Sequence, residues 1–95
     1  MAPGHASFDM REPMDGDKLA EFRSSITDSV AAGVRDVTIN LDGLSRLDSG
    51  VISTLIFALR TLREHGGEVS LSVVKKSVLE TLHITGLDRV FAMAA

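Results

Sequence analysis

The sequence contains no cysteine, no tryptophan and no tyrosine. Without cysteine the chain forms neither disulfide bonds nor thiolate metal sites, which agrees with a cytoplasmic location. No apolar run approaches the roughly 18 residues that span a bilayer. The first residues also lack the basic and apolar regions of a secretory signal. We therefore expect a cytoplasmic protein that does not insert into membranes.

Positive charge is scarce as well. Ten Lys and Arg stand against 13 Asp and Glu, which gives a formal net charge of −3, and the only adjacent basic pair is Lys75-Lys76. Nucleic-acid binding usually needs a basic stripe with stacking aromatic side chains, and the sequence has neither. No cluster of His, Asp or Glu has metal-ligand spacing. We predict no direct nucleic-acid contact, no metal and no cofactor.

The residues that are present favour one α/β domain over residues 1–95, with residues 1–6 disordered. Hydrophobic residues make up 44% of the chain, enough for one modest core. Strict alternation of apolar and polar residues predicts strands at 37–41 and 69–73. Helical spacing begins near Lys18, near Ile52 and near Val78. Short apolar segments at 7–10 and 89–93 predict two further strands.

Strands that alternate with helices predict a small, mostly parallel sheet. A parallel sheet covered on both faces would have continuously apolar strands, whereas these strands alternate. We therefore expect helices mainly on one face and a strand order that advances in one direction. The other face would carry Thr38, Asn40, Ser70 and Ser72.

The helix faces can also be assigned from the sequence. The apolar stripe of the second helix is predicted at Ile52, Leu55, Ile56, Leu59 and Leu62. For the third helix, Ser77 and Glu80 have the spacing of a capping box, which predicts that Ser77 is its N-cap.

The stretch "SRLDSGVIS" (residues 45–53) lies between a predicted strand and the second helix. One interpretation is local, because Asp48 or Ser49 can be the helix N-cap and Gly50 can ease the turn. A second is a regulatory site, since a phosphate on Ser49 would be stabilised by the helix N-terminus and would disturb a docked partner. A nucleophilic serine is the third. The stretch is not G-x-S-x-G, and no histidine is evidently placed to activate Ser49.

The segment "VTINLDGLSRLDSGVISTLIFALRTLREHGGEVSL" resembles the STAS domain of bacterial anti-sigma-factor antagonists. The resemblance is carried by an aliphatic strand, then Asp48-Ser49 opening a helix, then Gly66-Gly67 before the next strand. "LHITGLDRVFAM" is similar to the closing signature of that family. The motifs follow one another in compatible order and spacing, and the resemblance extends over about residues 15 to 93.

The resemblance implies a non-enzymatic protein that regulates transcription by partner switching. The unmodified form would bind an anti-sigma factor that is a serine kinase. Phosphorylation of Ser49 would release that kinase, and a phosphatase would reset the cycle. The partner-binding residues implied are Asp48, Ser49, Gly50, Val51, Ser53 and Thr54.

Two departures from the family pattern carry further expectations. Many relatives have Ser or Thr and then Gly after Asp-Ser, whereas Gly50-Val51 follows here, so Val51 is expected to add bulk on the kinase-facing side. The N-terminal strand region is shortened to one strand, which leaves a sheet edge that a homodimer or a partner strand could cover. The alternative function is an unphosphorylated STAS scaffold or adaptor in a signalling assembly or a membrane transport complex.

Overall fold

Strands and helices alternate along the chain in the computed structural model, which describes residues 4–94. The predicted α/β class and its element order are confirmed. The elements are β1 (His5–Arg11), α1 (Gly16–Ala31), β2 (Asp36–Gly43), α2 (Ser49–Glu64), β3 (Glu68–Ser72), α3 (Lys76–Thr85), a 3-10 turn (Leu87–Arg89) and β4 (Ala92–Ala94).

The four strands form one sheet in the order β1-β2-β3-β4, and every neighbouring pair is parallel. The prediction of a strand order that advances in one direction is therefore confirmed. Because crossovers between parallel strands are right-handed, this order keeps the helices on one face. It also brings the N-termini of all three helices to the carboxyl edge of the sheet.

Strand alternation separates the two faces of the sheet. Val37, Ile39 and Leu41 are buried against the helices, as are Val69 and Leu71. The side chains between them point to the other face and are half-buried, which confirms the predicted polar face. They are Thr38, Asn40, Ser70 and Ser72.

The first strand begins earlier than the sequence predicts. His5 and Ala6 belong to β1 and pair with Asp36 and Val37, so the predicted disorder is wrong for these two residues. The backbone of Gly4 supports this start, because its carbonyl oxygen accepts hydrogen bonds from the backbone N–H of Arg35 (3.0 Å) and Asp36 (2.8 Å). The same prediction for residues 1–3 lies outside the described residues.

The buried face of α2 is rotated from the predicted one. Ile56 is 37% exposed and Ile52 is half-buried, whereas Val51, Thr54 and Ala58 are buried. The Thr54 hydroxyl donates to the Gly50 carbonyl oxygen at 2.9 Å, so this polar side chain is buried without losing a hydrogen bond. The helix thus leaves two isoleucines outside its core face.

The capping box predicted for α3 is wrong. The helix begins at Lys76, and the Ser77 hydroxyl donates instead to the Ser45 carbonyl oxygen at 3.3 Å. The N–H groups of Val74 and Lys75 donate to the Asp42 carboxylate at the end of β2, at 2.9 and 3.1 Å. Residues 89–93 also differ from the prediction, because Arg89 ends the 3-10 turn and β4 begins only at Ala92.

Candidate functional site

Asp48 is the N-cap of α2. Its backbone is extended, with φ −95° and ψ 175°, and its carboxylate accepts a hydrogen bond from the Val51 N–H at 2.9 Å. The Asp48 carbonyl oxygen accepts the first intrahelical hydrogen bond, from the Ile52 N–H at 3.0 Å. Of the two caps that the sequence left open, the structure therefore selects Asp48, and Ser49 becomes the first helical residue.

Ser49 is solvent-exposed at this position. Because Asp48 supplies the cap, the Ser49 hydroxyl is not required to hold the end of the helix. The first N–H groups of a helix have no intrahelical partners, and they carry the positive end of its dipole. The hydroxyl therefore lies where an added negative charge is favoured locally.

The turn before Ser49 is held from two sides. On one side, the Glu12 carboxylate accepts hydrogen bonds from the Ser45 N–H (3.1 Å) and hydroxyl (2.7 Å). On the other side, the Lys75 ammonium donates to the Leu44 carbonyl oxygen at 2.8 Å. The loops after β1 and β3 thus fix the turn that carries Ser49 into the helix.

The hydrogen bonds from Ser45 also affect the ionisation of Glu12. The side-chain hydrogen bond from Ser45, followed by its backbone hydrogen bond, lowers the pKa of the Glu12 carboxyl below its ordinary value, and the charges of Lys75 and Arg46 add to the effect. The carboxylate form is the one that accepts both hydrogen bonds. This contact is complete above the ordinary glutamate pKa and is lost as the pH falls through the lowered value.

A groove of about 680 Å³ runs from Ser49 along the outer side of α2. Ile52 and Ile56, which the predicted stripe placed in the core, supply its apolar surface together with Phe57. The remaining lining residues are polar or charged: Arg23 from α1, and Ser53, Arg60, Thr61 and Glu64 from α2. The exposed serine is therefore continuous with an apolar surface between two helices.

The packing of α1 against α2 explains why position 50 is a glycine. A Cβ atom at this position would lie 3.1 Å from the Leu19 side chain and 3.4 Å from the Asp48 carboxylate. Glycine lets the two helices approach closely beside the cap. The glycine directly after Ser49 thus has a structural cause in this chain.

The six residues predicted to bind a partner divide into two groups. Asp48, Ser49 and Ser53 are exposed and Gly50 is half-buried, so a partner can reach them. Val51 is 2% exposed and Thr54 is fully buried, so both point into the core and neither forms a contact surface. The expected bulk of Val51 on the kinase-facing side is therefore wrong.

Sequence reasoning did not find Arg23 as part of this site. It lies on a different helix from Ser49, between the buried residues Phe22 and Ile26, and local spacing does not connect it to the serine. The one available signal was the helix order, which brings the N-terminal halves of α1 and α2 to the same sheet edge.

Within residues 4–94, no group of three or more His, Asp or Glu side chains is placed to hold a metal ion. No helix in the same range has both the length and the apolar character needed to cross a membrane.

Removing the cap is expected to destabilise the domain measurably. Asp48→Ala leaves the Val51 N–H without its partner, which costs about 1 kcal/mol of unfolding free energy. Asp48→Asn is the matched control, because asparagine caps helices about as well as aspartate does. Urea unfolding followed by circular dichroism measures both variants. Equal stability of Asp48→Ala and the unsubstituted protein would contradict the assigned cap.

Comparison with known proteins yields one family and several solved structures of the same fold. The sequence model of the STAS domain matches residues 2–95. The anti-sigma factor antagonist SpoIIAA in its unphosphorylated form is 18% identical, with a TM-score of 0.81 over 98% of this chain and 82% of that chain. The Bacillus cell fate determinant SpoIIAA in its phosphorylated form is 17% identical, with a TM-score of 0.67 over 98% and 85%. RsbS from Moorella thermoacetica, with glutamate in place of a serine, is 24% identical, with a TM-score of 0.80 over 96% and 79%.

Proposed function

This chain belongs to the STAS domain family, and we propose that it is an anti-sigma-factor antagonist controlled by phosphorylation of Ser49. Its unmodified form binds an anti-sigma factor that is a serine kinase. That binding frees a sigma factor for transcription. The kinase transfers the γ-phosphoryl group of ATP to the Ser49 oxygen, ADP and the hydroxyl proton are released, and the complex separates. A phosphatase restores the serine.

The observation that carries this proposal is the position of Ser49. Its hydroxyl is exposed on the first residue of α2, at one end of a groove whose apolar surface is Ile52, Ile56 and Phe57. A kinase docked along that groove would place its active site near the serine. Glu12 and Lys75 hold the backbone of the turn that leads into Ser49.

Electrostatics explains why modification would end the complex. A phosphoserine carries about −1.5 to −2 charges at neutral pH. The helix N-terminus stabilises that charge within the free domain. A partner surface packed on the groove would instead have to desolvate it, which is unfavourable. Phosphorylation therefore favours the separated protein over the complex.

The solved relatives support the proposal by analogy. One similar structure is described as an anti-sigma factor antagonist in its unphosphorylated form, and another shows SpoIIAA in a phosphorylated form. A third is a variant in which glutamate replaces a serine. The phosphorylated and unphosphorylated states of the same fold are both stable enough for structure determination.

A phosphorylation assay tests the proposal directly. The protein is incubated with ATP and each anti-sigma serine kinase encoded in the same genome, and its intact mass is measured. We expect the mass of one added phosphate, which Ser49→Ala abolishes. Ser53→Ala is the matched control, because Ser53 is also exposed in the groove, one helical turn away, and this variant should still be modified.

The apolar groove also favours a second candidate, an adaptor that binds a partner without phosphorylation. Ile56 is an exposed large hydrophobic residue in that groove, and such residues support protein binding with or without a modified serine. Stable binding to a kinase that never modifies Ser49 would support the adaptor. A phosphate that remains in Ser49→Ala would instead place the modification elsewhere.

Both candidates act by binding, and we propose that they do so in the cytoplasm without catalysis by this chain.

We also propose that a second copy of the chain pairs with β1. In the part of the chain that the structure describes, β2 is the only strand beside β1, so the backbone groups on its other side have no strand neighbour. Such an edge accepts another strand readily.

A further inference from the structure

Arg23 gives the groove a positive charge beside Ser49. This half-buried residue of α1 lines the groove opposite α2. Within residues 4–94 the close contacts between a basic and an acidic side chain are Arg11 with Asp9, Arg63 with Glu68 and His83 with Asp88, so Arg23 takes part in none of them. Its guanidinium is therefore a cation without a carboxylate partner in the described chain.

Arg23 and Ser49 line the same groove, and helix geometry lets the Arg23 side chain extend towards Ser49. Both helices begin at the carboxyl edge of the sheet, and they approach closely where Gly50 meets Leu19. Arg23 lies four residues after Leu19, which is about 6 Å along the helix axis. Long side chains on a helix point back towards its N-terminus, and hence towards the edge where Ser49 lies.

We propose that Arg23 binds the phosphate carried by Ser49 within the same chain. The proposal rests on the proposed function, because it assigns the fate of the phosphate that the kinase adds. Arginine suits this contact, since its planar guanidinium donates two parallel hydrogen bonds to phosphate oxygens. The phosphate on Ser49 would then lie in the groove and would neutralise Arg23, the arginine that α1 contributes to it.

The pairing of Arg23 with the Ser49 phosphate explains why the kinase is released, because the kinase and the phosphate compete for the same guanidinium group. In the unmodified protein, Arg23 is available to an acidic side chain of the kinase, beside apolar contacts with Ile52 and Ile56. The expected docking segment therefore combines aliphatic side chains with a carboxylate. After phosphorylation, the Ser49 phosphate occupies Arg23 and also repels that carboxylate.

The phosphate itself reports whether Arg23 contacts it. Phosphoserine is incorporated at position 49 during synthesis, and the ³¹P resonance is followed as the pH is changed. A nearby cation favours the dianion, so the second phosphate ionisation should occur about half a pH unit lower in the unsubstituted protein than in Arg23→Gln. Circular dichroism establishes that each variant is folded.

Two matched variants control for the other cations near the serine. Arg60 lines the same groove but lies eleven residues along α2, about 16 Å from Ser49. Arg46 belongs to the turn that precedes the serine. The nearby acids Asp48 and Glu64 are unchanged in every variant. Arg60→Gln and Arg46→Gln should titrate like the unsubstituted protein, and a shift in either one instead of Arg23→Gln would overturn the assignment.

The outcome does not depend on the kinase, because the phosphate is installed without it. Identical titration of Arg23→Gln and the unsubstituted protein overturns the Arg23 contact and leaves the proposed function standing. Failure of every kinase to modify Ser49 overturns the proposed function and leaves the Arg23 contact standing.

With a kinase that does modify Ser49, unmodified Arg23→Gln should bind about fivefold more weakly, as for the loss of one ion pair. Unchanged affinity would overturn the exchange of partners.

Discussion

Ser49→Glu is expected to lower the affinity for the anti-sigma kinase about a hundredfold, because a fixed negative charge at the end of the groove must be desolvated by the docked partner. The domain itself should remain as stable as the unsubstituted protein, since an acidic residue in the first turn of a helix is favourable. Isothermal titration calorimetry measures the affinity, and thermal unfolding measures the stability.

Ser25→Glu is the control that shows whether added net charge alone lowers the affinity for the kinase. Ser25 is an exposed residue of α1 that faces Phe8 and Lys18, outside the groove. This variant has the same net charge as Ser49→Glu, and its affinity should stay close to that of the unsubstituted protein. Ser49→Ala should also bind, because it removes the hydroxyl without adding charge. Equal losses in both glutamate variants would show that net charge matters and position does not.

Gly67→Ala is expected to destabilise the domain by about 3 kcal/mol, since the added methyl group has no space. A Cβ atom there would lie 2.2 Å from the Arg35 carbonyl oxygen and 2.9 Å from the Leu62 side chain. The Arg35 oxygen cannot simply move away, because it accepts the Glu68 N–H at 2.8 Å, where β3 begins beside β2. For a domain of this size, the melting temperature should fall by more than about 10 °C.

Gly66→Ala separates this steric effect from the conformational preference of glycine. Gly66 has a φ of +79°, but no atom lies within 4 Å of an added Cβ. Its substitution should therefore cost only about 1 kcal/mol, the usual penalty for a left-handed residue. Both variants are compared by urea unfolding under the same conditions. A larger loss in Gly66→Ala than in Gly67→Ala would contradict the close approach of β3 to Arg35.

The strands and their order could be predicted because the alternation of side chains is a local property. Val37, Ile39 and Leu41 point to one face whatever surrounds them, and a sheet covered on one face needs only that pattern. The length of β1 could not be predicted in this way. His5 is held in the strand by pairing with Asp36, which lies on the next strand of the sheet.

The predicted core face of α2 is partly wrong, because helical spacing favours bulky aliphatic residues over small or polar ones. Thr54 can be buried because its hydroxyl donates a hydrogen bond to the backbone one turn earlier, and the small side chain of Ala58 is also fully buried. Ile52 and Ile56 lie at the border of the buried face and line the groove instead. Two of the five residues predicted for the core face, Ile52 and Ile56, thus contribute to the proposed docking surface, whereas Leu55, Leu59 and Leu62 are buried as predicted.

Long-range hydrogen bonds explain the other differences. The start of α3 is held by Asp42, more than 30 residues away, so the local Ser77–Glu80 spacing could not reveal it. Asp48 and Ser49 were found from the sequence because the cap and the exposed first residue depend on adjacent positions. Arg23 was missed because its relation to Ser49 exists only once α1 and α2 are packed side by side.

The unbroken strand order has a consequence for how the protein folds during synthesis. Each strand pairs with the one made just before it, and one α-helix separates the two along the chain, followed before β4 by the 3-10 turn. The sheet can therefore grow one strand at a time as the chain leaves the ribosome, without waiting for distant segments. The groove between α1 and α2 can form as soon as β1, β2 and these two helices have been synthesised, before β4 is made.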